Sequence, residues 1–206
     1  MKHKSLVVFG PPGIGKGTAC KALVENFKNL YYIATGDLVR EVLASEREPL
    51  ASKFRDLLQQ GILLSDSDIN DLLIDHLNYA QNEGLYHQNK TILLDGFPRT
   101  TDQARMGSSV LDYRTVFHLT NVSRSELRSR IKSRASLHKL EGRPARDDDN
   151  SDAISRRLDD YFDSEEKLLW WYRNLTVPVV SVDASRSRIV VASDLYDRVE
   201  SYFKRQ

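Results

Sequence analysis

The chain has 206 residues, 40% of them hydrophobic and 29% charged, enough to bury a core of its own without disulfide or metal staples. Its net charge of +1 gives no electrostatic reason to bind nucleic acid or an anionic membrane. The single cysteine, Cys20, excludes an internal disulfide and any structural zinc site that needs two or four cysteines.

Apolar runs are far shorter than the ~20 residues that span a bilayer. The basic start MKHKSLVVFG loses its apolar run at Phe9, short of the ~7 residues of a secretory signal core. The chain therefore reads as cytoplasmic, with no nucleic-acid or membrane partner, and a monomer is expected.

The first β-rich run, Leu6–Phe9, leads straight into GPPGIGKGT, Gly10 to Thr18, and then into the helical TACKALVENF. Glycines let backbone N–H groups curl around an anion, and a helix N-terminus adds partial positive charge at the same point. Lys16 would then reach the β- and γ-phosphates of a nucleotide. The spacing is that of a Walker A loop with one departure. Gly17 stands where Ser or Thr is usual, and the hydroxyl comes a residue later at Thr18, which argues against direct Mg2+ ligation by that hydroxyl.

A second strand is expected at Tyr31–Ile33, followed by an excursion from the core over about Thr35–Leu64. The third, Thr91–Leu94, ends in Asp95 and the string DGFPRT. Asp95 is a carboxylate at the end of a buried strand, suited to holding water on Mg2+ beside the phosphate loop; the alternative is an Asp–Gly turn. Arg99 is either a surface arginine or a phosphate clamp.

The fourth strand is expected at Thr115–Leu119. Ser123 and Glu126 then form a capping box opening a helix to about Arg134. At ~100° per residue, Leu127 and Ile131 mark its buried face, Arg130 and Arg134 flank that face, and Lys132 points away. Ala135–Ala145 is polar, contains Gly142 and Pro144, and reads as a second excursion. Asn150 can cap a long helix to about Arg173. On it Ile154, Leu158 and Tyr161 face inward, Arg157 flanks them and Arg156 points away. A fifth strand, Val177–Val182, and a helix from Ser187 or Arg188 to about Lys204 close the chain. The runs lack polar alternation, as strands buried on both faces do, so the fold class is α/β with a doubly wound parallel sheet. Cys20, Trp170 and Trp171 are expected to pack, and His3, His76, His87 and His118 to serve structure or face solvent.

The strings GPPGIGKGT, TGDLVR at Thr35–Arg40 and DGFPRT, in that order, resemble the adenylate kinase family of nucleoside monophosphate kinases. The resemblance covers essentially the whole chain. It implies the P-loop kinase fold, a five-stranded parallel sheet flanked by helices, with two insertions: an acceptor-binding segment at 35–64 and a lid at 135–145, short or intermediate and without zinc. ATP is implied on Gly13, Ile14, Gly15, Lys16, Gly17 and Thr18 with Arg130, Arg134 and Arg186. AMP is implied at Thr35, Arg40, Ile62, Leu63, Leu64, Gly96, Phe97, Pro98, Arg99 and Gln103, with Arg146 and Arg157. Lys16, Arg99, Arg134, Arg146 and Arg157 form the implied catalytic clamp, and Asp95 the Mg2+ site through water. Asp148 or Asp149 pairs with these arginines or with the donor ribose, and His138 is a candidate for stacking in the lid.

Pyrimidine monophosphate kinases usually carry Ala at the Thr35 position and Asn at those of Thr100 and Gln103. Thr, Thr and Gln here favour AMP, and an amide can donate and accept at once, as an adenine edge requires. The expected reaction is ATP + AMP ⇌ 2 ADP, with Mg2+. The alternatives are a UMP/CMP kinase and a nucleotide-binding regulatory protein without turnover.

Overall fold

Short apolar runs without alternation need cover on both faces, and one parallel sheet between helical layers supplies it. The computed structural model describes residues 1–44, 50–59, 64–140 and 151–205. Its strands are β1 (His3–Phe9), β2 (Leu30–Ala34), β3 (Thr91–Asp95), β4 (Leu111–Thr120) and β5 (Val179–Asp183). They form one sheet in the order β2-β3-β1-β4-β5, every pairing parallel, as the α/β reading anticipated. The helices are α1 (Lys16–Asn26), α2 (Thr35–Ala44), α3 (Leu50–Gln59), α4 (Asp66–Asn82), α5 (Thr101–Gly107), α6 (Arg124–Leu140), α7 (Ser151–Asn174) and α8 (Arg188–Phe203).

Alternate residues of β1 enter opposite layers of the core. Val7 and Phe9 pack with Leu38 and Val42 of α2, Phe54 of α3, Leu73 and Leu77 of α4 and Tyr172 of α7. Leu6 and Val8 pack with Cys20 and Leu23 of α1, Leu127 and Ile131 of α6, Leu158 of α7 and Leu195 of α8. Full burial of one such aliphatic side chain contributes about 1.5–3 kcal/mol. The 35–64 segment is thus tied into the core through Leu38, Val42 and Phe54. Lys53 of α3 also pairs with Asp68 of α4 at 2.7 Å.

Several sequence boundaries move. β1 and β4 begin earlier than their apolar runs, because polar Ser5 is buried in the ladder opposite Tyr113, its hydroxyl donating to the Asp112 carbonyl at 3.1 Å. β5 begins at Val179, after Pro178, which has no N–H for a ladder. The helix expected to end near Arg134 continues to Leu140, so Ala135–Leu140 are helical. Ala, Leu and Lys in that stretch are good helix formers, and polar composition had masked this. His138 lies on that helix; its side chain, residues 141–145 and the Asn150 cap fall outside the described residues. The Ser123 half of the capping box is present, with the Glu126 N–H donating to Ser123 Oγ at 3.2 Å, while the Glu126 carboxylate takes the Arg130 guanidinium at 2.6 Å.

Trp170 is a correction, for it is 66% exposed rather than packed. Leu168, Leu169 and Tyr172 take the inner face of α7, and Trp171 meets Tyr113 edge-on at 6.0 Å. His118 is buried and bonded to Glu165 at 2.8 Å and Tyr161 at 3.1 Å. Among the described residues no helix is long and apolar enough to cross a membrane. Because every strand runs the same way, the carboxyl ends Phe9, Ala34, Asp95, Thr120 and Asp183 share one edge, where ligands of such sheets bind.

Candidate active site

The glycine loop leaves β1 at this edge and ends on α1, whose N-cap is Gly15. Gly13 has φ +83°, and a Cβ there would lie 2.8 Å from Ile131 and 2.9 Å from the Leu127 carbonyl. Helix α6 therefore packs against bare loop backbone. Ile14 is buried in the core, which leaves only its backbone at the loop surface. The Lys16 ammonium turns back into the loop and donates to the carbonyls of Gly10 at 2.7 Å and Pro11 at 3.1 Å. Burial of that ammonium lowers its pKa to about 8, with Asp95 drawing it up and the charges of Arg99 and Arg157 pushing it down. Lys16, Asp95, Arg99 and Arg157 are thus brought within electrostatic reach of one another.

Asp95 lies next to Gly17. A Cβ at Gly17 would stand 3.2 Å from Asp95 Oδ2, so a glycine after the lysine lets the loop approach this carboxylate. The Tyr32 hydroxyl donates to the same oxygen at 3.0 Å. Tyr32 pairs with Leu93, so its side chain shares the sheet face of Asp95, two residues further along β3. Burial, and then the negative charge of Asp95, hold the Tyr32 phenol above its ordinary pKa. Burial likewise raises the Cys20 thiol, a core residue as expected.

On the β2 side, Thr35 opens α2, is 3% exposed and donates to the Gly96 carbonyl at 2.8 Å. Arg99 Nε donates to the same carbonyl at 3.0 Å. Phe97 and Pro98 are buried. Arg40 pairs with Asp37 and lies along Gly36, 3.4 Å from where a Cβ would be. Leu64 packs against the core, whereas Ile62 and Leu63 lie outside the described residues. Gln103 is 5% exposed. Its Oε1 accepts from the Arg99 N–H at 2.7 Å, and its Nε2 donates to Asp66 Oδ1 at 2.9 Å.

On the β5 side a cleft of about 190 Å³ opens between the loop and α8, lined by Gly15, Thr18, Arg130, Arg186, Ser187 and Arg188 among others. Arg130 reaches it while paired with Glu126 at 2.6 Å and donating to the Ala184 carbonyl at 3.4 Å. Asp183 Oδ1 accepts the Ser185 hydroxyl at 2.7 Å and its N–H at 3.0 Å. These bonds depress the Asp183 carboxyl and shape the turn that presents Ala184. Arg134 and Arg157 are half-buried, while Lys132 and Arg156 are exposed, the division that helical phase anticipated. Arg146, Asp148 and Asp149 lie outside the described residues.

The site also holds residues that the sequence did not single out. Asp66 and Tyr32 each meet a motif residue from a distant part of the chain. For Asp66 the available signal was a carboxylate in the first turn of a helix behind Ser65, which caps it through the Asp68 N–H at 3.1 Å.

A parallel sheet with a phosphate loop at its carboxyl edge, charged side chains around one lysine and a cleft beside the loop defines a P-loop nucleotide kinase. The adenylate kinase family model matches residues 8–177, and the chain belongs to that family. It is 33% identical to an adenylate kinase of Bartonella tribocorum over 81% of this chain and 85% of that one. It is 30% identical to an adenylate kinase 2 of Schistosoma mansoni over 92% and 82%. An adenylate kinase of Methylorubrum extorquens is 28% identical over 96% of both chains.

The lowered pKa of Lys16 has a consequence for binding. Phosphates take the protonated lysine and hold its proton, whereas the free loop loses it as pH rises through about 8. Affinity for ATP, by calorimetry, should be flat below about pH 7.5 and fall by up to tenfold per unit above about pH 8. Lys16→Arg, always charged, should remove the fall. A flat wild-type profile to about pH 9.5 would show that the Lys16 proton is not linked to binding.

Proposed function

We propose that the chain transfers the γ-phosphoryl group of ATP to AMP, giving two ADP. The observation that carries this reading is the Lys16 ammonium under the joint charge of Asp95, Arg99 and Arg157, on a loop that also lines the β5-side cleft. The β5-side cleft is the donor site, with Thr18, Arg130 and Arg186 around the nucleoside and the loop N–H groups around the phosphates. The β2 side of the loop is the acceptor site, with Thr35 and Gln103 toward the base and Arg40 and Arg99 toward the phosphate.

An oxygen of the acceptor phosphate attacks the γ-phosphorus in line, the bond from γ-phosphorus to the β-oxygen breaks, and ADP leaves. The attacking oxygen is already ionised at neutral pH, so no general base is required, and catalysis is positioning and charge stabilisation. Lys16, Arg99, Arg134 and Arg157, with Arg146 by motif, supply that positive charge.

Mg2+ fits beside Asp95. The carboxylate ends β3 against the phosphate loop, Tyr32 engages Oδ2, and Oδ1 takes no hydrogen bond among the described residues. When bound, the ion neutralises charge on the β- and γ-phosphates. The residues' own task is for Asp95 to orient a water toward it and for Tyr32 to hold Asp95. The 35–64 and 135–145 segments act as acceptor-binding and lid insertions, the lid excluding water as a competing acceptor.

A coupled assay of ATP with AMP, CMP, UMP, GMP and shikimate tests the reaction. AMP should be preferred over CMP by on the order of a hundredfold in kcat/KM, because a mismatched base leaves the remaining lone pair and N–H of the buried Gln103 amide without partners. Equal turnover of CMP or UMP would reassign the acceptor to a pyrimidine, and ATP loss without acceptor would make the chain a hydrolase. The lid has a separate test. Hydrogen exchange across 135–145 should slow when a bisubstrate analogue binds, and unchanged exchange would remove that role.

A further inference from the structure

A glutamine amide reads a base by which way round it faces, and a free amide turns to suit either base. In this chain the Gln103 amide is clamped. The Arg99 backbone N–H can only donate, and it meets Oε1 at 2.7 Å. The Asp66 carboxylate can only accept, and it takes Nε2 at 2.9 Å. Asp66 is itself held: the Thr100 hydroxyl accepts the Gln103 N–H at 3.0 Å and so turns its proton onto Asp66 Oδ2 at 2.9 Å. Turning the amide over would set Nε2 against an N–H and Oε1 against a carboxylate, two like-with-like contacts at a residue that is 5% exposed.

We infer that Asp66 is a specificity-determining positioning residue, which acts through Gln103 to make the acceptor pocket accept adenine and reject 6-oxopurines. The inference rests on the reading that Gln103 faces the acceptor base. Each clamped amide atom keeps one bonding position, a lone pair on Oε1 and an N–H on Nε2. Adenine offers the complement, an amino donor at C6 and an acceptor at N1. Hypoxanthine offers the reverse, a carbonyl at C6 and an N–H at N1. It therefore meets a donor with a donor and an acceptor with an acceptor, and the clamp prevents the amide from adapting. The discrimination is built from repulsion as much as from matched bonds.

The test compares kcat/KM for AMP, purine riboside monophosphate and IMP, with ATP as donor. Purine riboside monophosphate keeps the N1 acceptor and lacks any group at C6. Wild type should rank AMP first, purine riboside monophosphate second and IMP last, with IMP about a hundredfold or more below AMP. Asp66→Asn removes one of the two locks, because the asparagine amide can donate to a turned Oε1. It should lower the AMP-to-IMP ratio by about tenfold, mainly through a gain for IMP. Damage to folding alone would depress all three substrates together and leave the ratio unchanged.

IMP within about threefold of AMP in wild type would overturn the inference without any variant, since a clamped amide cannot serve both bases. An unchanged ratio in folded Asp66→Asn would overturn the role of Asp66 while leaving AMP as the acceptor. Absence of turnover with AMP, beside good turnover with CMP or UMP, would overturn both the inference and the reading beneath it.

Discussion

The carboxylate of Asp95 is the group on which the site closes. It is the last residue of β3, the strand between β2 and β1, so both neighbours deliver groups to it. From β2 comes the Tyr32 hydroxyl, on Oδ2. From β1 comes the phosphate loop, whose Gly17 backbone lies against the same oxygen. Its own carbonyl and that of Gly96 accept from Thr35, at 3.3 and 2.8 Å, which fixes the start of α2. A buried lysine is costly to keep charged, and Asp95 is the nearby negative charge that offsets that cost.

This arrangement accounts for the departure from the usual loop sequence at Gly17. A serine or threonine side chain there would begin 3.2 Å from the carboxylate oxygen, tighter than ordinary contact. The absent side chain lets loop and strand end approach, while the adjacent Thr18 faces the opposite cleft. Asp95 and the β5-side cleft consequently lie on different sides of the loop that carries Lys16.

What could be read from sequence was what is local. The glycine loop and the Asp95 strand end are contiguous strings, and their flanking apolar runs fixed the fold class. The sorting of Arg157 from Arg156, and of Arg134 from Lys132, follows from helical phase alone, because one buried face decides both. What could not be read was what the topology assembles. Tyr32 and Asp95 are separated by 63 positions, Asp66 and Gln103 by 37, and no local pattern announces either pair. Ser5 hid the start of β1 because a polar residue buried in a ladder looks like a loop residue. The continuation of α6 to Leu140 was hidden by the opposite error, a polar helix read as an excursion.

Asp95 sustains the charge of Lys16 inside the phosphate loop. Side-chain nitrogen-15 NMR can titrate the Lys16 ammonium in the wild type and in Asp95→Asn. Lys16 should titrate near 8 in the wild type, below its ordinary 10.5, and lower still in the variant, where the raising influence of Asp95 is gone. A wild-type value at the ordinary 10.5, or a variant value equal to or above that of the wild type, would contradict the account.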